Sequence, residues 1–464
     1  MGAVSRKEKT KNEQLFKGKM YEMLSSENVS TKLEQIAMRS KQMQGTPLTS
    51  LSHVIDIEFM REAYRRVRKT GATGIDKQTA EQFAANLEEN LSVLLNGLKS
   101  GTYKAPAVRR VYIPKDGNKV RPLGIPTFAD KVMQMAIKML LEAVYEADFH
   151  ESSYGFRPGR SQHHALDAVW DSLKWDGGWV VEIDFESFFD SLSHQHLRTI
   201  LDARVRDGVV RKMIDKWLSA GIFEDGQRWV HDAGTPQGGV ISPILSNIYL
   251  HYVLDEWFET VVKPLMKQKA TLVRYADDAV FVFKNESDAQ RFMAVLPKRC
   301  AKFGLKLHPD KTKLLRFCKP RGVSPRSAEK RASFDFLGFT LYWGRSRRGW
   351  WVIKRKTRMS RLRRALSTAW TWCRTHRHKP LLWQYQKLKI KLLGHYRYYG
   401  MTGNCRALSI MRYGTLRAWG YWLRRRGSKG KITWARFYAL QKRFPIPQPV
   451  VYHSIYRREA NART

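Results

Sequence analysis

Residues 271–283 read Thr-Leu-Val-Arg-Tyr-Ala-Asp-Asp-Ala-Val-Phe-Val-Phe, two largely apolar runs on either side of an acidic pair. β-Branched and aromatic residues in runs of this length suit a buried strand. Thr271 to Ala276 and Ala279 to Phe283 are therefore predicted as strands, with Asp277 and Asp278 in the tight turn between them. A third acid, Asp184, ends the apolar strand predicted at Trp179 to Ile183 and precedes Phe188-Phe189. An acid at a strand end is common, and adjacent aspartates are ordinary turn residues. Taken together, three carboxylates set among strands also suit a hard cation such as Mg2+, which prefers oxygen ligands.

Around this hairpin the chain reads as mixed helix and strand. Amphipathic spacing predicts helices at Thr31 to Gln42, Asp56 to Lys69, Ala80 to Lys99 and Phe128 to about Ala147. Further helices are predicted at His194 to Ala203, Val209 to Ala220, Ser242 to Phe258 and Glu286 to Phe303. Val108 to Pro114 and Val120 to Ile125 form a predicted hairpin around Lys115-Asp116-Gly117-Asn118. Gly234 to Gly239 reads as a loop, Leu305 to Leu307 and Thr312 to Phe317 as short strands. Phe334 to Trp343 reads as a strand pair broken at Gly338. After a strand at Trp350 to Lys354, a three-helix unit is predicted over Met359 to Cys373, Trp383 to Tyr399 and Arg406 to Arg426.

The 464 residues carry 83 Lys and Arg against 42 Asp and Glu, a formal charge of +41. Most of the excess lies from Leu341 onward, where 31 basic residues face one acid, Glu459, together with nine of the fifteen tryptophans. Cations that neutralise phosphates, interleaved with rings that stack on bases or fill a core, point to a polyanionic nucleic acid. No run of 18 apolar residues exists, and the polar stretch Met1 to Lys19 lacks a signal-peptide core. The expectation is a soluble intracellular protein. Cys300, Cys318, Cys373 and Cys405 form no C-x-x-C pair, which disfavours a zinc finger. An acidic centre in a basic chain fits phosphoryl transfer on a polyanion. Two cations about 3.5–4 Å apart can activate a 3′-hydroxyl and stabilise a leaving pyrophosphate.

The strings Arg121-Pro-Leu-Gly-Ile-Pro126, Tyr154-Gly-Phe-Arg-Pro-Gly159, Asp184-Phe-Glu-Ser-Phe-Phe-Asp190, Thr235-Pro-Gln-Gly-Gly239, Tyr275-Ala-Asp-Asp278 and Phe336-Leu-Gly-Phe339 stand in this order. As a series they resemble the reverse transcriptases encoded in bacterial group II introns, from about Ile55 to the C-terminus. His395-Tyr-Arg-Tyr-Tyr399 and Trp419 to Arg426 resemble that family's maturase-specific thumb. The resemblance implies an α+β right-hand polymerase of fingers, palm and thumb, the last a helical, basic domain. It assigns 1–54 to an N-terminal extension, 55–340 to fingers and palm, 341–426 to the thumb, and 427–464 to a short basic, candidate DNA-binding segment. A His-Asn-His nuclease with paired cysteines has no counterpart here. The chain therefore resembles the compact members, expected to prime from a nick, a fork or single-stranded DNA.

Carried over residue by residue, the resemblance makes Asp184, Asp277 and Asp278 the catalytic, metal-binding acids, with the Phe185 carbonyl as a further ligand. Two Mg2+ ions are implied, with Mn2+ as a substitute. Lys115 and Arg121 would clamp the incoming triphosphate, and Gln237 would contact the nucleotide. Phe188 would sit under the sugar and exclude a 2′-hydroxyl, a role its neighbour Phe189 could exchange with it. Gly338 would form a turn supporting the primer end, and Arg157 and Arg160 would touch the template backbone. The implied partners are group II intron RNA in a ribonucleoprotein, a DNA target or primer, and dNTPs. The expected activity is RNA-directed DNA polymerisation with a maturase role in splicing, and hence retrohoming. Two rivals stand beside it: a domesticated relative in DNA repair or phage defence, and an RNA-binding splicing factor without polymerase activity. The complete acid set argues against the latter, since RNA binding alone needs none of the three.

Overall fold

In a computed structural model of the chain, the described residues are 26–114, 120–224, 227–229, 234, 238–320, 332–426 and 432–455. Helix α1 (26–42), α2 (Ile57–Arg66), α3 (Ala80–Ala85) and α4 (Leu87–Ser100) precede a hairpin of β1 (Val108–Pro114) and β2 (Val120–Ile125). Next come α5 (Phe128–Tyr145), α6 (Gln162–Leu173), β3 (Trp179–Ile183), the single turn α7 (Phe188–Ser191), α8 (His194–Asp202) and α9 (Gly208–Leu218). The short strands β4 (Ile222–Glu224) and β5 (Gln227–Trp229) follow. Helix α10 (Ser242–Leu250) continues through π-helical turns at His251–Asp255 and Phe258–Val262. Then come β6 (Ala270–Tyr275), β7 (Asp278–Phe283), α11 (Glu286–Lys302) and β8 (Lys313–Arg316). The last part holds β9 (Ser333–Phe336), β10 (Phe339–Arg345), β11 (Trp351–Thr357), α12 (Met359–Thr375), α13 (Leu381–Tyr399), α14 (Cys405–Leu423) and α15 (Trp434–Arg443).

The chain divides into two compact units, residues 1–161 with 181–314, and residues 162–180 with 315–464. In the first, α5 is the central helix. Its apolar residues recur every three or four positions, and Val132, Ala136, Ile137, Leu140, Leu141 and Val144 are wholly buried. The hydroxyl of Thr127 caps its N-terminus by accepting from the Asp130 amide. Two four-stranded sheets have the orders β2-β1-β4-β5 and β6-β7-β3-β8.

The helix predicted over Ala80 to Lys99 is two helices, broken at Asn86. Thr79 and Gln82 close a capping box on the first, and Asn90 Nδ2 donates to the Phe83 carbonyl at 2.9 Å across the break. The bend keeps Phe83 in the core, 5.2 Å from the Phe128 ring. Ser242 to Phe258 is likewise not one regular α-helix, since α10 gives way to π turns. Helices α6 and α15 and the strands β4 and β5 were not predicted.

The second unit carries the sheet β11-β10-β9 and the helices α12 to α15. Leu362, Cys373, Leu388, Leu392, Tyr396, Leu408 and Trp419 form its helical core. The wholly buried Trp419 satisfies its indole by donating to Gln384 Oε1 at 3.0 Å. Tryptophans here thus split between two uses: Trp343 and Trp419 are core, whereas Trp350 is 71% exposed.

Candidate active site

Tyr275 pairs with Asp278 across the β6–β7 hairpin, so Ala276 and Asp277 are the two residues of the turn. Ala276 adopts φ +56°, a left-handed conformation that costs an L-residue about 1–2 kcal/mol. The segment before the turn explains how it is held. Arg274 N donates to the Ser152 carbonyl and Tyr154 N to the Arg274 carbonyl, both at 2.8 Å, which lays residues 152–155 along β6. A Cβ on Gly155 would lie 2.3 Å from the Ala276 nitrogen, so only glycine permits this approach.

Asp184 follows β3, the sheet neighbour of β7. Its carbonyl accepts from His308 N at 2.8 Å, and Glu186 N donates to the Lys306 carbonyl at 2.9 Å. Those two bonds flank the antiparallel bridge of Phe185 with Leu307, on the chain that runs into β8. In such a bridge the central residue's own N–H and C=O face away from the bonded partner. The Phe185 carbonyl is therefore directed to the side of β3 where β7 lies. The Asp184 carboxylate accepts from Lys311 Nζ at 3.0 Å.

These donors suit a hard cation: carboxylates and one backbone carbonyl, all oxygen. Among the described residues no group of three or more His, Cys, Asp or Glu side chains is arranged so that it could hold a metal ion on its own. Mg2+ does not need such a group, because it is held by one or two carboxylates and completes its shell with water and substrate phosphates. Asp184, Asp277, Asp278 and the Phe185 carbonyl are oxygen donors of the kind such an ion takes, set on or beside the neighbouring strands β3 and β7.

Phe188 is 3% exposed, its ring 5.6 Å from Phe185 and 5.3 Å from Phe189, which is only half-buried. Ser187 before it takes φ +44°, turning the chain sharply after the Asp184 strand. Arg121 is exposed on β2, opposite Ile113. Lys115 and Gln237 lie outside the described residues. On either side of Gln237 in the sequence, Gly234 N donates to the Leu192 carbonyl at 2.9 Å and Val240 N donates to Gln134 Oε1 at 2.8 Å.

Arg157 requires a correction, since a template contact needs free donors. It is buried, its Nε and Nη2 hold Glu146, and its Nη1 donates to the carbonyls of His150 and Ser153 at 2.6 and 2.9 Å. The guanidinium braces the loop from within. Arg160 stays near the surface, paired with the exposed Glu151 at 2.8 Å. Gly338, in the second unit, follows Leu337; φ values of +47° and +78° make the β9–β10 turn left-handed at both positions. The Tyr398 hydroxyl donates to the Leu337 carbonyl at 3.0 Å, and a Cβ on Gly338 would meet the Tyr399 hydroxyl at 3.1 Å. Part of the resemblance string His395 to Tyr399 thus serves to hold this turn.

Three supporting groups were missed from sequence. Lys311 gave no signal beyond a surface charge. Gln134 looked like one more polar residue on α5, yet its amide is fixed by donating to Asp130, whose other oxygen accepts from Tyr103 and Trp217. Arg274 was visible as a lone charge inside an apolar strand.

Residues 113–341 match the family described as reverse transcriptase (RNA-dependent DNA polymerase). The chain is 35% identical over 329 residues to Protein YkfC of Escherichia coli strain K12, covering 63% of this chain and 82% of that protein. It is 39% identical over 225 residues to the group II intron-encoded protein LtrA of Lactococcus lactis subsp. cremoris, covering 47% of this chain but only 37% of LtrA. It is 27% identical over 347 residues to a 91 kDa protein in the cob intron of Schizosaccharomyces pombe, covering 62% and 42% respectively. Among the described residues no helix is long and apolar enough to cross a membrane.

Proposed function

Because the chain belongs to the reverse transcriptase (RNA-dependent DNA polymerase) family, of the group II intron type, we propose that it copies intron RNA into DNA at Asp184, Asp277 and Asp278 and assists splicing of that RNA. The observation that carries this reading is the Ala276-Asp277 turn. It presents adjacent carboxylates at the start of β7, while Asp184 directly follows β3, the neighbouring strand.

In the proposed reaction the primer 3′-oxygen forms a bond to the α-phosphorus of a dNTP. The α–β anhydride bond breaks and pyrophosphate leaves. A pair of divalent ions, Mg2+ or Mn2+, would supply charge to both the attacking and the leaving oxygen. Asp184, Asp277, Asp278 and the Phe185 carbonyl would hold that charge in place. Lys115 and Arg121 would fix the triphosphate, Gln237 would contact the nucleotide, and Phe188 would leave no room for a 2′-hydroxyl. Arg160 would reach the template by releasing Glu151, and Gly338 would support the primer end.

We read 55–340 as fingers and palm and 341–426 as the thumb, between an N-terminal extension and a short basic segment. The basic thumb is the surface we assign to intron RNA. Copying the spliced intron at a DNA target would complete retrohoming.

The test is primer extension by the purified chain on an RNA template with dNTPs and Mg2+. Asp184→Ala and Asp277→Ala should each drop to background while melting near the parent temperature. Normal extension by either variant would withdraw the acid assignment.

A further inference from the structure

Arg274 is the penultimate residue of β6, and both it and its partner Asp255 have no exposed side-chain surface. A charge buried so deeply is strongly unfavourable unless every polar atom is matched. Here all five guanidinium N–H groups are. Nε donates to Asp255 Oδ1 at 2.7 Å and Nη2 to Asp255 Oδ2 at 2.5 Å, a bidentate pair. Nη2 also donates to Ser153 Oγ at 2.8 Å, and Nη1 to Asn247 Oδ1 at 3.0 Å. The last bond goes from Nη1 to the carbonyl of Ala276, also at 3.0 Å.

That final acceptor is the first residue of the acidic turn, the one held at φ +56°. Asn247 closes the circuit by donating its amide to the Gly155 carbonyl at 2.6 Å, on the segment that packs against the same turn. Asp255 stands at the end of a π-helical turn. One extra residue in a helix rotates every later side chain by about 100° around the axis, so the π turn sets which face Asp255 occupies.

We propose that the Arg274–Asp255 pair is a positioning device for the acidic turn, gripping the Ala276 carbonyl so that Asp277 and Asp278 project in a fixed direction. The proposal rests on the reading of those acids as cation ligands. A pair that merely fills the core would be replaceable, because apolar residues of similar volume often substitute for a buried ion pair without loss of stability. Such residues cannot donate to Ala276. Lysine cannot either while still meeting Asp255 bidentately, so Arg274→Lys should not restore function.

The experiment compares the full chain, the double variant Arg274→Met/Asp255→Leu, Gly155→Ala and Asp277→Ala. Each is followed by melting, by Mn2+ binding from the free-ion EPR signal, and by single-nucleotide extension. The double variant should stay folded, bind Mn2+ at least tenfold more weakly, and lose kcat with the dNTP KM within about twofold. Gly155→Ala keeps the ion pair but pushes a methyl against the Ala276 nitrogen, and should give the same split. A folded double variant with parental Mn2+ binding and kcat would overturn the proposal. If the double variant does not fold, parental behaviour of Gly155→Ala overturns it instead. If Asp277→Ala binds Mn2+ as the parent does, the underlying acid assignment has failed, a result distinct from failure of the clamp.

Discussion

Lys311 Nζ lies 3.0 Å from Asp184 Oδ2, so the acid assigned to a cation already shares an oxygen with the chain's own ammonium. The two side chains are 47% and 34% exposed, and such a pair contributes only about 0–1 kcal/mol. A divalent ion can displace it. Lys311→Met removes the competitor and should tighten Mn2+ binding to the isolated chain by roughly two- to fivefold, the equivalent of that energy. Weaker binding would mean that Lys311 orients Asp184 rather than competing for it.

Asp130 offers a pH signature. Burial raises its pKa to about 6, against the opposing hydrogen bonds from Tyr103, Trp217 and Gln134. A carboxyl raised by folding favours the native state most below its unfolded pKa, and that contribution is lost as pH rises through the folded value. Relative to Asp130→Asn, the parent should therefore lose stability between about pH 4 and pH 6 and hold a constant difference above. Denaturant melts of both proteins across that range measure it. A difference independent of pH would show that Asp130 titrates at its ordinary value.

Phe188→Ala should raise ribonucleotide incorporation, because the missing ring leaves space below the 2′ carbon. As the side chain is also nearly buried, a stability loss of about 3–5 kcal/mol should accompany it. Misincorporation assays on Phe188→Ala and Phe189→Ala separate the two neighbours. If Phe189→Ala alone relaxes sugar choice, the half-buried ring is the gate. If neither does, the gate assignment fails.

How far these residues could be read from sequence depended on how local their partners are. The acid hairpin was legible to within one residue because its strands and turn are contiguous, though the turn is Ala276-Asp277 and not Asp277-Asp278; helices α12, α13 and α14 were legible because their apolar stripes repeat over several turns. Asn86 was not: its break depends on a side-chain bond between Asn90 and the Phe83 carbonyl, which the apolar spacing does not reveal. Arg157 misled because its motif string says nothing of Glu146, which takes the charge inward. Arg274 could be flagged as an odd charge in an apolar strand, but its partners stand 19, 27 and 121 residues away. Only the fold brings them together.

The basic helices α12 to α14 should separate splicing from polymerisation. Arg361 and Arg364 are exposed on α12, away from the buried Leu362. Replacing both by alanine should weaken RNA binding and flatten its salt dependence, with a log–log slope smaller by about 1–2. Protein-assisted splicing at physiological salt should fall, while extension of a preannealed primer–template at low salt persists. Filter binding across a salt series, with a parallel splicing assay, measures both. Intact splicing with collapsed extension would make this helical unit a primer–template clamp.

The most direct measurement is anomalous scattering from Mn2+ in crystals of the chain with an RNA template, a dideoxy-terminated DNA primer and the matching dNTP. Two manganese peaks should appear about 3.5–4 Å apart, ligated by the carboxylates of Asp184, Asp277 and Asp278 and the carbonyl of Phe185, with Lys311 no longer bonded to Asp184. A bound primer–template and dNTP with no manganese at Asp184 and the Ala276-Asp277 turn would contradict the assignment of this site.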